Sequence, residues 1–171
     1  MTTGKTSKRP GKMKGGGRTK EPLELPPVDQ ALKVEVHSLS LLRIEGIGAV
    51  HVERLARAGI KSLQSLFNRG RTPKGRREIA AESGIDERII LNWVNRADLM
   101  RLHGIGEEYA DLLEQAGVDT PVELAHRVPE NLYRKLVEEN QNKKITRRTP
   151  SLKQVSAWVQ EAKKLPRVVT Y

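Results

Sequence analysis

The chain has 171 residues, of which 37% are hydrophobic and 30% charged, and its formal net charge is +10. This length allows one compact domain or two small lobes, and the absence of cysteine excludes disulfides, thiol catalysis, iron–sulfur clusters and thiolate zinc sites. No stretch approaches the roughly 18 consecutive apolar residues of a membrane span, and no secretion signal is visible, so we expect a cytoplasmic, nucleoid-associated or otherwise intracellular protein that does not bind membranes.

Residues 1–20 form a basic arm that carries seven of the net positive charges and no acid. The arm is rich in glycine and poor in apolar residues, so it cannot bury enough surface to fold. We therefore expect the arm and the proline-rich linker after it, residues 1–29 together, to be disordered. Clustered cations beside a basic domain favour contact with a polyanion; a solubilising tail and an organellar targeting peptide are the alternatives.

The rest of the chain repeats one pattern. The phrase IEGIGAVHVERLARAGI, at residues 44–60, returns as LHGIGEEYADLLEQAGV at residues 102–118. Further along, NWVNRA, which ends at Ala97, is similar to AWVQEA, which ends at Ala162. The spacing indicates a repeat of roughly sixty residues. We predict a first unit over residues 30–97 and a second over 98–171, joined in one compact body.

Each unit is predicted to be helical. Apolar residues follow each Gly-Ile-Gly turn at helical spacing, and Gly59 and Gly84 mark helix ends. Trp93 and Trp158 are predicted to fill the core where helices meet, and weak alternation over residues 32–38 predicts one short extended piece. Three Thr-Pro pairs predict helix starts, with the threonine as cap: Thr72-Pro73, Thr120-Pro121 and Thr149-Pro150.

The order of short helix, Gly-Ile-Gly, second helix and Ala-Gly-Ile or Ala-Gly-Val resembles the helix-hairpin-helix motif, which holds DNA by its phosphates in many repair and replication proteins. The body from about Leu41 onwards also resembles an uncharacterised bacterial family of tandem helix-hairpin-helix proteins, a domain of unknown function. The resemblance implies an all-α fold of two such repeats, paired with pseudo-twofold symmetry to bury apolar faces, and it implies no established activity.

The first turn has the chemistry of a phosphate site. Gly46 and Gly48 allow close approach of the backbone, and the helix after them begins with unpaired N–H groups at the positive end of its dipole. The predicted phosphate-binding residues are Gly46, Ile47, Gly48, Ala49 and Val50. A purely structural hairpin is an equal alternative for any one such turn.

The second turn, Gly104, Ile105 and Gly106, leads into Glu107 and Glu108, which suit a helix N-terminus but repel a phosphate. We therefore expect the first turn to be the better binder and the second to be structural. Because the second basic stretch, NKKITRR, lies among acids, the cations of the first copy are favoured as the contact surface. This predicted basic patch comprises Arg43, Arg54, Lys61, Arg69, Arg71, Lys74, Arg76 and Arg77.

Catalysis is not expected. Asp119, in a Val-Asp-Thr context, follows the second turn too closely to re-enter a pocket, and the four histidines have no metal-ligand spacing. No cofactor, metal or small-molecule substrate is predicted. The expected function is sequence-independent binding of duplex DNA, because aromatic residues are too sparse for a single-strand stacking platform. RNA or ribosome-associated binding and a protein-interaction module tethered by the basic arm are the alternatives.

Overall fold

The computed structural model describes Met1, Gly4 and residues 41–171, and residues 41–171 all lie in one compact unit. This described body is helical and contains no β-strand, which confirms the predicted all-α fold. Apart from Met1 and Gly4, the predicted arm and linker lie outside the described residues, as does the predicted extended piece at 32–38.

A short 3-10 helix, Leu41–Arg43, precedes the first Gly-Ile-Gly turn. The α-helices that follow are α1 (Ala49–Arg57), α2 (Leu63–Gly70), α3 (Pro73–Ser83), α4 (Glu87–Leu99), α5 (Glu107–Gln115), α6 (Pro121–Ala125), α7 (Pro129–Lys143) and α8 (Leu152–Ala162).

Two of the three Thr-Pro predictions are confirmed. The hydroxyl of Thr72 accepts from the amide of Gly75 (3.1 Å) at the start of α3, and Thr120 caps α6 in the same way. Thr149-Pro150 is wrong, because α8 begins two residues later at a Ser151 cap. The hydroxyl of Thr149 instead accepts from the side-chain amide of Asn140 (3.1 Å), while Ser151 has Gln154 as its capping-box partner.

The two tryptophans occupy the core, as predicted, and each lies beneath a Gly-Ile-Gly turn. Trp93 on α4 and Trp158 on α8 are both 3% exposed. A Cβ atom added at Gly46 would lie 3.4 Å from Nε1 of Trp93, and one at Gly104 would lie 3.7 Å from Nε1 of Trp158. Each half of the body therefore packs its turn on the tryptophan of its own last helix.

The halves are not separate lobes. Helix α4 runs through the predicted boundary between residues 97 and 98. The C-terminal residues return to the first half, where the amide of Thr170 donates to the carbonyl of Arg71 (2.9 Å) and the hydroxyl of Tyr171 donates to Asn95 (3.1 Å). Helix α4 and the C-terminal residues 166–171, which we call the C-terminal strap, thus connect the two repeats. The pseudo-twofold pairing of the repeats stays a prediction.

A buried ion pair anchors the same strap. Arg101 Nη1 lies 2.6 Å from Asp98 Oδ1, and the two side chains are 2% and 7% exposed, respectively. Arg101 also donates to the carbonyl of Pro166, so it links the end of α4 to the C-terminal residues. Burial raises the pKa of Asp98 above its ordinary value, and the hydrogen bond and charge of Arg101 oppose that rise.

Candidate functional site

The first Gly-Ile-Gly turn is built from a buried isoleucine pair and a glycine that the backbone requires. Ile44 and Ile47 are 2% and 3% exposed, and the amide of Ile47 donates to the carbonyl of Ile44 (3.0 Å). Gly46 has a φ of 85°, in the left-handed region that favours glycine. Because its side chain faces the core, Ile47 can offer only its backbone to a ligand.

The start of α1 is open. Gly48 precedes the helix in an extended conformation, no side chain caps it, and a Cβ atom added there would meet nothing within 4 Å. Ala49 and Val50 are exposed, and the first turn of α1 contains no acid. A cleft of about 540 Å³ is lined by residues 42–51. Unlike α2, α3, α6 and α8, where a serine or threonine accepts from a backbone amide, α1 leaves its first N–H groups without a side-chain acceptor.

Two side chains contact carbonyl groups of this turn. Nδ1 of His51 lies 3.1 Å from the carbonyl oxygen of Gly46, and its ring packs edge-on against Trp93. Arg96 Nη1 donates to the carbonyl of Glu45 (2.9 Å). The carbonyl oxygens of the turn are therefore engaged with donors, while the N–H groups that follow remain at the surface.

The second turn has the same backbone form and a different charge. Gly104 has a φ of 80°, and α5 begins at Glu107 after an uncapped Gly106. The amide of His103 donates to the carboxylate of Glu161 (3.1 Å), and Trp158 Nε1 donates to the carbonyl of His103 (3.2 Å). A cleft of about 380 Å³ opens beside this turn. It is lined by Gly104, Gly106, Glu107, Glu108, Tyr109, Arg147 and Arg148.

An ion pair joins the two turns. Arg43 Nη2, which belongs to the segment before the first turn, lies 2.7 Å from Glu107 Oε1, at the start of α5. Arg43 lines the first cleft and Glu107 lines the second, so this pair connects the linings of the two clefts. Arg43, a member of the predicted basic patch, is therefore already engaged in an ion pair.

Two arginines of the predicted basic patch hold the fold. Arg69 donates to the carbonyl of Ala58 at the end of α1 and lies 3.2 Å from a carboxylate oxygen of Glu82. Arg76 is 3% exposed and donates to the carbonyl of Gly70 (3.0 Å), and burial lowers its pKa. The expectation that Arg76 belongs to an exposed patch is wrong, because the side chain satisfies a helix-end carbonyl inside the body.

The remaining cations of the patch stay at the surface. Arg54, Lys61 and Arg77 are exposed and form no ion pair within residues 41–171, whereas Lys74 lies 3.8 Å from Glu78 and Arg71 is half-buried. Lys61 follows the C-terminal end of α1, so about 13 Å of helix separates it from the first turn. The structure therefore places Lys61 and the first turn at opposite ends of α1.

Sequence reasoning missed Arg96, the residue that locks the first turn to α5. Its guanidinium also lies 3.1 Å from Asp111 and contacts Glu114, and it is 11% exposed. Burial raises the pKa of Asp111, and the charge of Arg96 opposes that rise. A signal existed in the paired phrases NWVNRA and AWVQEA, where Arg96 occupies the place of Glu161, because each of these two residues binds the backbone just before its own turn.

Other kinds of site find little support in the described part of the chain. Residues 41–171 contain no group of histidine and acidic side chains placed to hold a metal ion. No helix there has the length and apolar character needed to cross a bilayer. Asp119 lies in the turn before α6, where its amide donates to Glu123 (3.1 Å), and its pKa is raised by burial and then by the charge of Glu123.

Comparison with known proteins identifies a family. Residues 45–165 match the family described as Domain of unknown function (DUF4332), and the chain belongs to it. No curated protein and no solved structure matches the chain. The matched region contains both turns and the eight α-helices of the described body.

Proposed function

We propose that this member of the DUF4332 family binds nucleic acid through backbone phosphates, with duplex DNA favoured and without reading base sequence. The observation that carries the proposal is the open start of α1, where Gly48, Ala49 and Val50 line an exposed cleft and no side chain caps the helix. Unpaired N–H groups and the positive end of a helix dipole together suit a phosphate oxygen.

The first turn suits this role better than the second, because α1 has no acid in its first turn whereas α5 begins with Glu107 and Glu108. The order of short helix, Gly-Ile-Gly turn and uncapped second helix supports the helix-hairpin-helix interpretation, which is part of this proposal. Gly48 matters most for access, because a side chain there would stand in the space that a phosphate would occupy.

Charge supports a polyanionic partner. The chain carries a net charge of +10, and Arg54, Lys61 and Arg77 remain exposed without an acidic partner in the described body. Such cations attract phosphates without distinguishing bases and supply most of the affinity of non-specific DNA binders. The basic arm, outside the described residues, would add further cations to the same contact.

A protein-interaction module is the second candidate, and one observation favours it. Leu42 and Val50, both on the rim of the first cleft, are 59% and 62% exposed. Apolar side chains at a cleft suit the buried centre of a protein interface better than a phosphate backbone. RNA stays an alternative ligand, because N–H groups and cations also bind its phosphates.

The proposal predicts a steep salt dependence of binding. If the chain neutralises several phosphates of duplex DNA, the logarithm of the association constant should fall linearly with the logarithm of salt concentration, by about 0.9 per phosphate contacted. Fluorescence anisotropy with labelled duplexes of two unrelated sequences measures this slope. We expect equal affinities for the two DNA sequences and weaker binding to single-stranded DNA. A parallel titration with duplex RNA compares the affinities for the two kinds of duplex.

A variant lacking residues 1–20 serves as the control, because it removes the arm and leaves residues 41–171 intact. Its slope should be shallower than that of the whole chain, yet clearly different from zero. An affinity that does not change with salt concentration, or that differs strongly between the two DNA sequences, would count against phosphate binding. A slope that vanishes on truncation would assign all binding to the arm.

A further inference from the structure

The side chains of Asn140 and Thr146 brace the loop between α7 and α8. The carboxamide oxygen of Asn140 accepts from the amide of Thr146 (2.8 Å), and its nitrogen donates to the carbonyl of Thr146 and the hydroxyl of Thr149 (both 3.1 Å). Thr146 is 6% exposed, and its hydroxyl donates to the carbonyl of Arg148 (2.9 Å). These hydrogen bonds therefore constrain the backbone on both sides of Arg147.

This loop presents two cations to the second cleft. Arg147 and Arg148 are exposed, line the cleft with Gly104 and Tyr109, and form no ion pair within the described body. Holding the loop backbone in advance lowers the backbone entropy that is lost when the loop binds a ligand.

The acids of the cleft oppose this pair less than the sequence indicates. Glu107 already has Arg43 as its partner at 2.7 Å, so its charge is largely balanced. Glu108 is then the one acid lining the cleft that has no ion-pair partner among the described residues, and it faces two arginines. The remaining balance at the cleft is positive.

We propose that the Arg147 and Arg148 loop is a second phosphate-contact surface, which holds the same DNA duplex that the first turn binds. The ion pair of Arg43 and Glu107 connects a residue that lines the first cleft to one that lines the second, so one duplex backbone seated against Gly48 would have the second cleft close by. This assignment rests on the proposed function, and it reverses the expectation that the first basic cluster alone forms the contact surface.

The test is a double substitution, Arg147→Gln with Arg148→Gln, in the full-length chain. Because each phosphate contact contributes about 0.9 to the salt slope, losing two should make the slope shallower by roughly 1.8 and weaken duplex DNA binding more than tenfold near 0.1 M salt. The clamp of Asn140 involves neither arginine side chain, so circular dichroism should show unchanged helix content.

The matched control is Lys163→Gln with Lys164→Gln. These adjacent cations are also exposed, and they lie just after α8 without lining either cleft. The control removes the same net charge and should change affinity only slightly and leave the slope almost unaltered.

Equal losses in the two double variants would overturn the assignment, because only overall charge would then matter. A loss confined to duplex RNA would overturn the choice of DNA as the occupant. If the wild-type chain itself fails to bind duplex DNA, the proposed function falls and the loop assignment falls with it. If the wild type binds duplex DNA and the double variant binds with the same affinity and salt slope, the loop assignment alone is wrong.

Discussion

Replacing Ala49 and Val50 with glutamate is expected to weaken duplex DNA binding at least tenfold while leaving helix content unchanged. Both residues are exposed at the open start of α1, and acids at that position suit the helix dipole, so the fold should tolerate them. The two carboxylates would stand where the proposal places a phosphate oxygen, and the resulting repulsion should prevent close approach. Anisotropy at constant salt measures the loss.

The matched control is Ala49→Gln with Val50→Gln, because glutamine has nearly the size of glutamate and no charge. It should bind much more tightly than the glutamate variant, since only steric changes remain.

Removing the acids that follow the second turn, by Glu107→Ala with Glu108→Ala, should leave the affinity for duplex DNA level or raise it slightly. Loss of Glu107 also releases Arg43 from its ion pair. A glutamate variant that binds like wild type would move the protein-interaction alternative ahead.

Replacing Arg101 with methionine is expected to destabilise the fold by about 3–5 kcal/mol, the usual cost of leaving one member of a buried ion pair alone. Asp98 would keep its buried carboxylate, 7% exposed as a side chain, without the guanidinium at 2.6 Å. The C-terminal strap would also lose its donor to the carbonyl of Pro166. Urea unfolding followed by circular dichroism measures the difference in the free energy of unfolding.

The double variant Arg101→Met with Asp98→Leu separates the charge effect from packing. Exchanging both members of a buried pair for apolar residues is often close to neutral, so this variant should recover much of the lost stability. An Arg101→Met protein as stable as wild type would show that the pair does not hold the strap in place.

The same pair makes the loss depend on pH. Without Arg101, the two effects that lower the pKa of Asp98 disappear, and burial raises that pKa further above its unfolded value. When the pKa of Asp98 is higher in the folded chain than in the unfolded chain, the folded chain loses stability as the pH rises from the unfolded-state pKa through the folded-state pKa. The stability of the Arg101→Met variant should therefore be closest to that of wild type at acidic pH, where Asp98 is protonated in the folded and in the unfolded chain.

Local features were the part that the sequence predicted well. The caps at Thr72 and Thr120, the left-handed Gly84 at the end of α3 and the buried tryptophans all follow from short-range patterns. Thr149 failed because its hydroxyl is taken by Asn140, nine residues away, while Ser151 has the better local partner. A predicted cap therefore fails when a residue far along the chain, here Asn140, uses the hydroxyl that would otherwise cap the helix.

Side-chain partners at long range could not be predicted. Arg43 meets Glu107 across 64 positions of the chain, and Arg76 is buried because its guanidinium reaches a helix-end carbonyl. A charged residue in a polar stretch has the same sequence appearance whether it faces solvent or closes a helix. The predicted basic patch of the first copy therefore includes Arg43, Arg69 and Arg76, which already have partners within the folded body.

Under the proposed function, the backbone amides after the first Gly-Ile-Gly turn contact phosphate. Two-dimensional amide NMR detects such contacts, when the uniformly ¹⁵N-labelled full-length chain is titrated with a short DNA duplex. We expect the amide signals of Gly48, Ala49 and Val50 to shift among the most, and those of Gly106, Glu107 and Glu108 to shift less. Amide signals of Gly48, Ala49 and Val50 that stay in place while the duplex binds elsewhere on the chain would contradict this prediction.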